Sequence, residues 1–534
     1  MYLKVDLEGT VIHLDESTRF ALDEEASLLE TSDKVKVNIN DVTGKLVNIE
    51  VPVSPANETY YAKLKEGHFV FSQDFFSLAE MLEKRIEDRE SINSFIEHWT
   101  FPTGKTYFKE IFRLIPGMDY DIQKGVIVYS QKQITTKNLS SSAKKLDTQY
   151  ELFKSAIDST IKESASKKIN GLLLSGGVDS VLLGLVMDKL SIPFKAYTSN
   201  TTLSFQSAME DQWDSELIAQ KLGWQHEVVL TNLDDISISS LNDIQTLMPV
   251  SSHTSFHFLA LAKQMKKQGV HVAFSGQNMD NLYNLGPTSR MSLRRSNLAD
   301  FIRRIFLTSP YFKTLVANPK TGFISSMAWR AIALLFSRLY SFFKKSSFIP
   351  PKTVEELVNN YCQSNDYSVF GNDYEKSKIK KCNISSASDV RSCLLDYKVN
   401  NYLMTGPPQS IYQSGNLYGV KVCLPYSSEE MVKMFYTLDM GYKDMIYPKR
   451  YVYDYIKELA GMSYKELLKG RKISNAPDYQ AWVKDMLNNT EFGKSITRAV
   501  DTTDNPKGFT PAHNLQRYLA KYWVLKTQEK LRRN

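Results

Sequence analysis

A chain of 534 residues is too long for one typical hydrophobic core, so two or more domains are expected. With 42% hydrophobic and 23% charged residues, it is not an intrinsically disordered polymer. A net charge of +7 is modest for this length; it suits acidic ligands such as nucleotides and gives no reason to expect a nucleic-acid partner.

The four cysteines, Cys362, Cys382, Cys393 and Cys423, form no CxxC pair, so neither a zinc site nor a disulfide framework is expected. A reducing, cytoplasmic location fits that usage. The opening stretch MYLKVDLEGTVIHLDESTRF lacks the unbroken apolar core of a signal peptide. No run of about twenty uncharged apolar residues predicts a membrane-spanning helix.

Residues 1–131 read as short alternating strands with turns, among them 34–39 and 68–72. A polar stretch over 132–147, rich in Ser, Thr and Lys, reads as a linker. From 148 the pattern changes. Gln149 to Lys162 reads as a helix, Gly171 to Leu174 as an apolar strand, and Ser180 to Leu190 as a helix. Phe194 to Thr198 follows as a strand, Asp214 to Leu222 as a helix, and His226 to Leu230 as a strand. Phe256 to Lys267 is a helix and Val270 to Phe274 a fourth strand. Short apolar strands alternating with helices predict an α/β fold with a doubly wound parallel sheet. Ligands of such sheets sit at the C-terminal strand ends.

Residues 287–350 read as a basic, aromatic helical insertion, with eleven Lys or Arg between Arg290 and Lys345 against one acid, Asp300. Ser326 to Phe343 has helical spacing. A peripheral contact with an anionic membrane or an acidic carrier through 290–345 is the functional reading; a packed helix pair with a basic outer face is the plainer one. The nucleotide-type domain extends to 485, and 486–534 reads as a basic helical tail; 351–534 is mostly helical throughout.

The loop Ser175-Gly176-Gly177-Val178-Asp179-Ser180 follows an apolar strand and opens a helix. The two glycines let backbone amides approach a phosphate, and successive N–H groups at a helix N-terminus form an anion nest. Ser175 and Ser180 add hydroxyls, with Leu174 at the strand end below them. Asp179 would repel a phosphate directly, so its expected role is to hold Mg²⁺ against ATP. The plain alternative is a glycine-rich turn, which the strand and helix on either side argue against. No Walker loop is present; Gly104-Lys105-Thr106 lacks the leading glycine.

SGGVDS resembles the PP-loop of N-type ATP pyrophosphatases, and within them the chain resembles the asparagine synthetase family. Supporting segments are Thr106 to Gly117, Leu222-Gly223 with His226, and Ser275-Gly276-Gln277-Asn278-Met279-Asp280, which looks like the second nucleotide motif. Pro425-Tyr426-Ser427-Ser428 stands where the family has a Pro-Phe-Leu-Asp run, and Arg471-Lys472 where it carries a functional lysine. The resemblance implies a PP-loop ligase domain preceded by a small strand-rich domain akin to a glutamine amidotransferase. It also implies attack of a carboxylate on the α-phosphate of ATP, release of pyrophosphate, and displacement of AMP by a nitrogen nucleophile. Aspartate is the default acid; a peptide, sugar acid or other secondary-metabolite acid is close behind, as β-lactam synthetases and lasso-peptide cyclases illustrate.

Asp280 is expected to share Mg²⁺ with Asp179. The alternative for Asp280 is a helix-start aspartate. Ser275 and Gly276 are expected to line the nucleotide. Gln277 and Asn281 occupy positions where the family carries further acids, so an acid that orients the nucleophile is replaced or comes from elsewhere. This motivates a second reading, a nucleotide-binding protein that has lost catalysis. Lys472, with Lys449 as a second candidate, would stabilise charge on the leaving pyrophosphate; the alternative is a solvated lysine. Glutamine-using members begin Met-Cys. Here residue 2 is Tyr2 and no cysteine precedes Cys362, so the N-terminal domain is expected to be degenerate. The nitrogen donor is then ammonia, a substrate amine, or the product of a separate glutaminase. The sequence leaves the oligomeric state open.

Overall fold

A computed structural model describes residues 2–6, 11–14, 35–40, 45–53, 58–98, 101–123, 125–131, 146–201, 204–231, 255–283, 395, 399, 407–437, 449–500 and 511–533. The polar stretch 132–145, the whole basic insertion and the helix expected over 326–343 lie outside them. The chain divides into two compact units. One comprises Met1–Leu282, Asp396–Thr437 and Tyr451–Asn534; the other comprises Tyr283–Leu395 and Leu438–Arg450. Of the second, only Tyr283, Leu395, Lys449 and Arg450 are described.

The first unit opens with two antiparallel sheets. One has the order β2 (Val11–Leu14), β1 (Tyr2–Val5), β6 (Phe69–Ser72), β5 (Tyr60–Lys63), β7 (Ile111–Arg113). The other has the order β3 (Lys36–Asn40), β4 (Lys45–Glu50), β8 (Met118–Gln123), β9 (Val126–Gln131). Two short helices follow β6: α1 (Phe75–Glu80) and α2 (Arg89–His98). Asp74 caps α1 by accepting from the Phe76 and Ser77 amides. The core here is aromatic: Phe75, Phe76, Phe95, Phe101, Tyr107 and Phe108 are all buried, with the Phe95 and Phe101 rings stacked at 4.6 Å. A buried ion pair crosses from β7 to the residues before β5, Arg113 Nη1 to Glu58 Oε1 at 2.8 Å. The Tyr60 hydroxyl donates to the other oxygen of Glu58 at 2.6 Å, so the carboxylate is satisfied on both sides.

The nucleotide-type region carries five parallel strands in the order β12 (His226–Thr231), β11 (Phe194–Thr201), β10 (Asn170–Leu173), β13 (Val272–Ser275), β14 (Lys421–Cys423). From β10 the order runs outward through β11 and β12 in one direction and through β13 and β14 in the other. The order therefore reverses between β10 and β13, which pair Leu173 with Ser275 at their C-terminal ends. The crevice at such a reversal is where open parallel sheets bind ligands. The four strands expected from sequence are present, shifted by up to two residues at their starts. The fifth, β14, is three residues long within a part read as helical, too short for a periodicity signal.

The helices between are α3 (Leu146–Ser164), α4 (Val178–Lys189), α5 (Gln206–Leu222), α6 (Ser255–Lys267) and α7 (Met279–Tyr283). α4 is buried continuously from Ser180 to Met187, as befits a helix that is apolar all round. α5 ends on Gly223 in the left-handed conformation, the usual helix stop. It begins eight residues before the expected start, because Gln206 to Trp213 is too polar to show an apolar stripe.

The C-terminal part is helical among the described residues apart from β14: α8 (Pro407–Tyr418), α9 (Glu429–Thr437), α10 (Arg450–Ala460), α11 (Tyr464–Leu467), α12 (Tyr479–Asn489), α13 (Glu491–Ala499) and α14 (Pro511–Arg533). A capping box starts α11, with Ser463 and Glu466 satisfying each other's backbone amides. α14 serves two cores. Leu515, Tyr518 and Leu519 pack with Trp482 and Phe492 of α12 and α13, while Ala520 and Trp523 enter the aromatic core of the N-terminal sheets. No helix among the described residues is long and apolar enough to cross a membrane.

Candidate functional site

Residues 174–180 leave the end of β10 and enter α4. The base of the loop is fixed by β11: Leu174 N–H donates to the Tyr197 carbonyl at 2.9 Å, and the Thr198 hydroxyl donates to the Leu174 carbonyl at 2.5 Å. Gly176 has φ +73°, a left-handed conformation that favours glycine. A Cβ there would stand 2.6 Å from the Asp214 Cβ and 3.0 Å from the Ser215 amide, so a side chain is excluded on both counts.

The loop is shaped by its own serines. Gly177 N–H donates to Ser175 Oγ at 3.3 Å and Ser175 N–H to Ser180 Oγ at 3.3 Å. The Ser180 hydroxyl donates to the Gly177 carbonyl at 3.0 Å. Ser175 is exposed, Val178 and Asp179 are half-buried and Ser180 is buried. Gly177 is the N-cap of α4 and offers no side chain to its first turn, so the helix start is left for an anion.

The second motif leaves β13 beside the first. Ser275 is buried, Gly276 and Gln277 half-buried, and Asp280 exposed in the first turn of α7. A Cβ on Gly276 would lie 2.9 Å from the Ser180 amide and 3.1 Å from the Asp179 Cβ, so the two motifs touch through a position that admits only glycine. Asn278 is buried with φ +74°, uncommon for a residue other than glycine. The structure thus brings together Leu174 to Ser180 and Ser275 to Asp280 at the switch of the sheet. Among the described residues no group of three or more His, Cys, Asp or Glu side chains gathers as a metal site. Asp179 and Asp280 each sit in the first turn of a helix at neighbouring strand ends. That donor set suits a magnesium ion held mainly by phosphate oxygens and water with one or two carboxylates.

A segment from the C-terminal part closes on the loop from the side. The Tyr464 hydroxyl donates to the Gly176 carbonyl. Burial pushes this phenol above its ordinary range, so it stays a neutral donor. Asp214, buried against Gly176, lies 3.6 Å from Arg471 Nε, and Arg471 Nη2 reaches Glu210 Oε2 at 2.9 Å. Burial raises the Asp214 carboxyl above the usual carboxylate range; Arg471 opposes that and Glu210 adds to it. Lys472 is exposed, with its Nζ 5.8 Å from the centre of the Trp213 ring. Of the pair expected from sequence, Arg471 is the one tied to the acids behind the loop, and Lys472 rides on the preceding residue of α5. Lys449 belongs to the other compact unit.

The 464–477 segment is fastened to α5 along its length. Lys221 Nζ donates to the carbonyls of Glu466, Leu467 and Lys469, and the Gln206 amide donates to the Pro477 carbonyl at 2.8 Å. Asp214, Tyr464 and Lys221 are thus site-shaping residues that sequence reasoning missed. Asn278 left a trace inside the second motif, and Tyr426, whose hydroxyl donates to the Asp179 carbonyl, left one as a departure from the Pro-Phe-Leu-Asp run.

Residues 152–416 match the family model described as asparagine synthase, a span that runs from α3 through both loops to α8. No curated protein matches the chain. The parallel sheet, the glycine-bearing loop at its reversal and the family match agree, and the chain carries a domain of the asparagine synthase family, a family of ATP-dependent ligases.

Proposed function

We propose that the chain adenylates a carboxylate with ATP, releases pyrophosphate, and passes the acyl group to ammonia or an amine. The observation that carries this reading is the meeting of the Ser175–Ser180 and Ser275–Asp280 loops at the reversal between β10 and β13. In the first step a carboxylate oxygen attacks the α-phosphorus and the bond to the β-phosphate oxygen breaks, giving acyl-adenylate and pyrophosphate. In the second, nitrogen attacks the acyl carbon, AMP leaves, and one proton goes to a base. Aspartate is the first acid to try; peptide and sugar acids follow.

The amides of Gly176 to Asp179 and the hydroxyls of Ser175 and Ser180 bind phosphate oxygens, and Leu174, Ser275 and Gly276 line the nucleotide. Asp179 and Asp280 would hold Mg²⁺, which supplies charge neutralisation between phosphate oxygens. Lys472 stabilises charge on departing pyrophosphate, while Arg471 keeps Asp214 and so Gly176 in place. Gln277 orients the nitrogen nucleophile as a hydrogen-bonding group rather than as a base. The N-terminal sheets serve as a degenerate amidotransferase-like domain, whose strands between Tyr2 and Gln131 contain no cysteine to act on glutamine.

The test is pyrophosphate release by the purified chain with MgATP across a panel of carboxylates, with and without ammonium. Release that requires one acid supports the reading; no release with any acid contradicts it.

A further inference from the structure

Three consecutive hydroxyls follow Pro425 at the end of β14, and each reaches a different element. The Tyr426 hydroxyl, fully buried, donates to the Asp179 carbonyl at 2.9 Å in the first turn of α4. Ser427 Oγ accepts from Asn278 Nδ2 at 2.7 Å in a buried contact. Ser428 Oγ lies 2.9 Å from Thr160 Oγ1 of α3 and accepts from the Met431 amide at the start of α9. Residues 425–427 form one turn of 3₁₀ helix, so the first two hydroxyls move as one body. In the Pro-Phe-Leu-Asp run that this segment resembles, the residues matching Tyr426 and Ser427 have no hydroxyl.

We propose that Tyr426 and Ser427 are positioning residues that lock the two nucleotide motifs into one register. Tyr426 holds the Asp179 backbone, and Ser427 holds Asn278 in its left-handed conformation, which a non-glycine residue adopts only when its surroundings over-determine it. Neither side chain needs to touch ATP: a shift of either loop would separate the amide nest from the carboxylate of Asp280. This inference rests on the ATP-binding reading above.

The test measures the Kd of MgATP by calorimetry for the wild-type chain, Tyr426→Phe, Ser427→Ala, Asn278→Gly and the Ser427→Ala, Asn278→Gly pair, with melting temperatures without nucleotide as the control for folding. Tyr426→Phe and Ser427→Ala each lose one buried neutral hydrogen bond, expected to weaken MgATP about fivefold. Their unliganded melting temperatures should fall by no more than a few degrees, the cost of one such bond. Because glycine adopts φ > 0 without strain, Ser427→Ala should have little further effect once Asn278 is glycine. Wild-type Kd values in both single variants would overturn the proposal, as would strictly additive effects of Ser427→Ala and Asn278→Gly. A variant that melts early still reports through the other hydroxyl, which is read independently. A wild-type chain that binds no MgATP would instead remove the function reading and this inference with it.

Discussion

The two sheet regions of the first compact unit handle polar groups in opposite ways. The N-terminal sheets turn charge inward and satisfy it: Glu58 meets both Arg113 and Tyr60 within an aromatic surround. The parallel sheet pairs its own charges at the periphery, Lys195 of β11 with Glu227 of β12 at 2.6 Å, and sets further polar residues at the ends of β10 and β13, on loops where Gly176 and Gly276 admit no side chain. The first arrangement makes the fold depend on both partners of a buried pair. The second gathers backbone amides and carboxylates at one edge of the sheet, an arrangement suited to binding a triphosphate. The difference separates the region proposed to react from the region proposed to support it, and it can be tested by breaking each separately.

The largest effect is expected from Asp179→Ala, which should lower pyrophosphate release by about a thousandfold if this carboxylate holds the metal. Circular dichroism and melting should stay near wild type, since Asp179 is only half-buried. Gly176→Ala comes next. The left-handed φ and the 2.6 Å approach to Asp214 should cost MgATP affinity at least about tenfold. Gly461→Ala, with φ +68° and nothing within 4 Å of its Cβ, bears the backbone cost alone and should leave the Kd unchanged.

On the supporting side, Arg113→Met strands a buried carboxylate. It should destabilise the chain by roughly 3–5 kcal/mol, read by denaturant unfolding, and leave the MgATP Kd intact. A matching loss of nucleotide binding would erase the contrast between the two regions. The smallest effect concerns pH. Burial lowers the His226 pKa below 6.5, and its Nε2 pairs with Thr198 Oγ1 at 2.8 Å, next to the loop base. A histidine depressed in the folded state contributes stability above its unfolded pKa and loses it as pH falls from there through the lower folded pKa. The melting temperature of the wild-type chain should therefore fall more between pH 7 and pH 5 than that of His226→Gln.

Much of the parallel sheet was legible because its strands are apolar runs between helices. The Ser175–Ser180 loop was legible because glycines, a carboxylate and hydroxyls stand together in sequence. What holds that loop was not. Tyr464, Tyr426 and Arg471 lie more than two hundred residues beyond it and make single hydrogen bonds or ion pairs that leave no periodic pattern. β14 is too short to announce itself, yet it carries the turn that reaches both motifs. In the N-terminal sheets the strands were legible, but the pairing of Glu58 with Arg113 depends on β5 and β7 being neighbours. α14 reads as a basic tail by charge, while Trp523 anchors it in the aromatic core.

The most direct test of carboxylate adenylation follows oxygen. A substrate acid carrying ¹⁸O in its carboxylate is incubated with the chain, MgATP and ammonium, and the AMP formed is weighed by mass spectrometry. One ¹⁸O in AMP, with pyrophosphate released in equal amount, is the expected result. ADP and phosphate as products, or AMP without label, would contradict it.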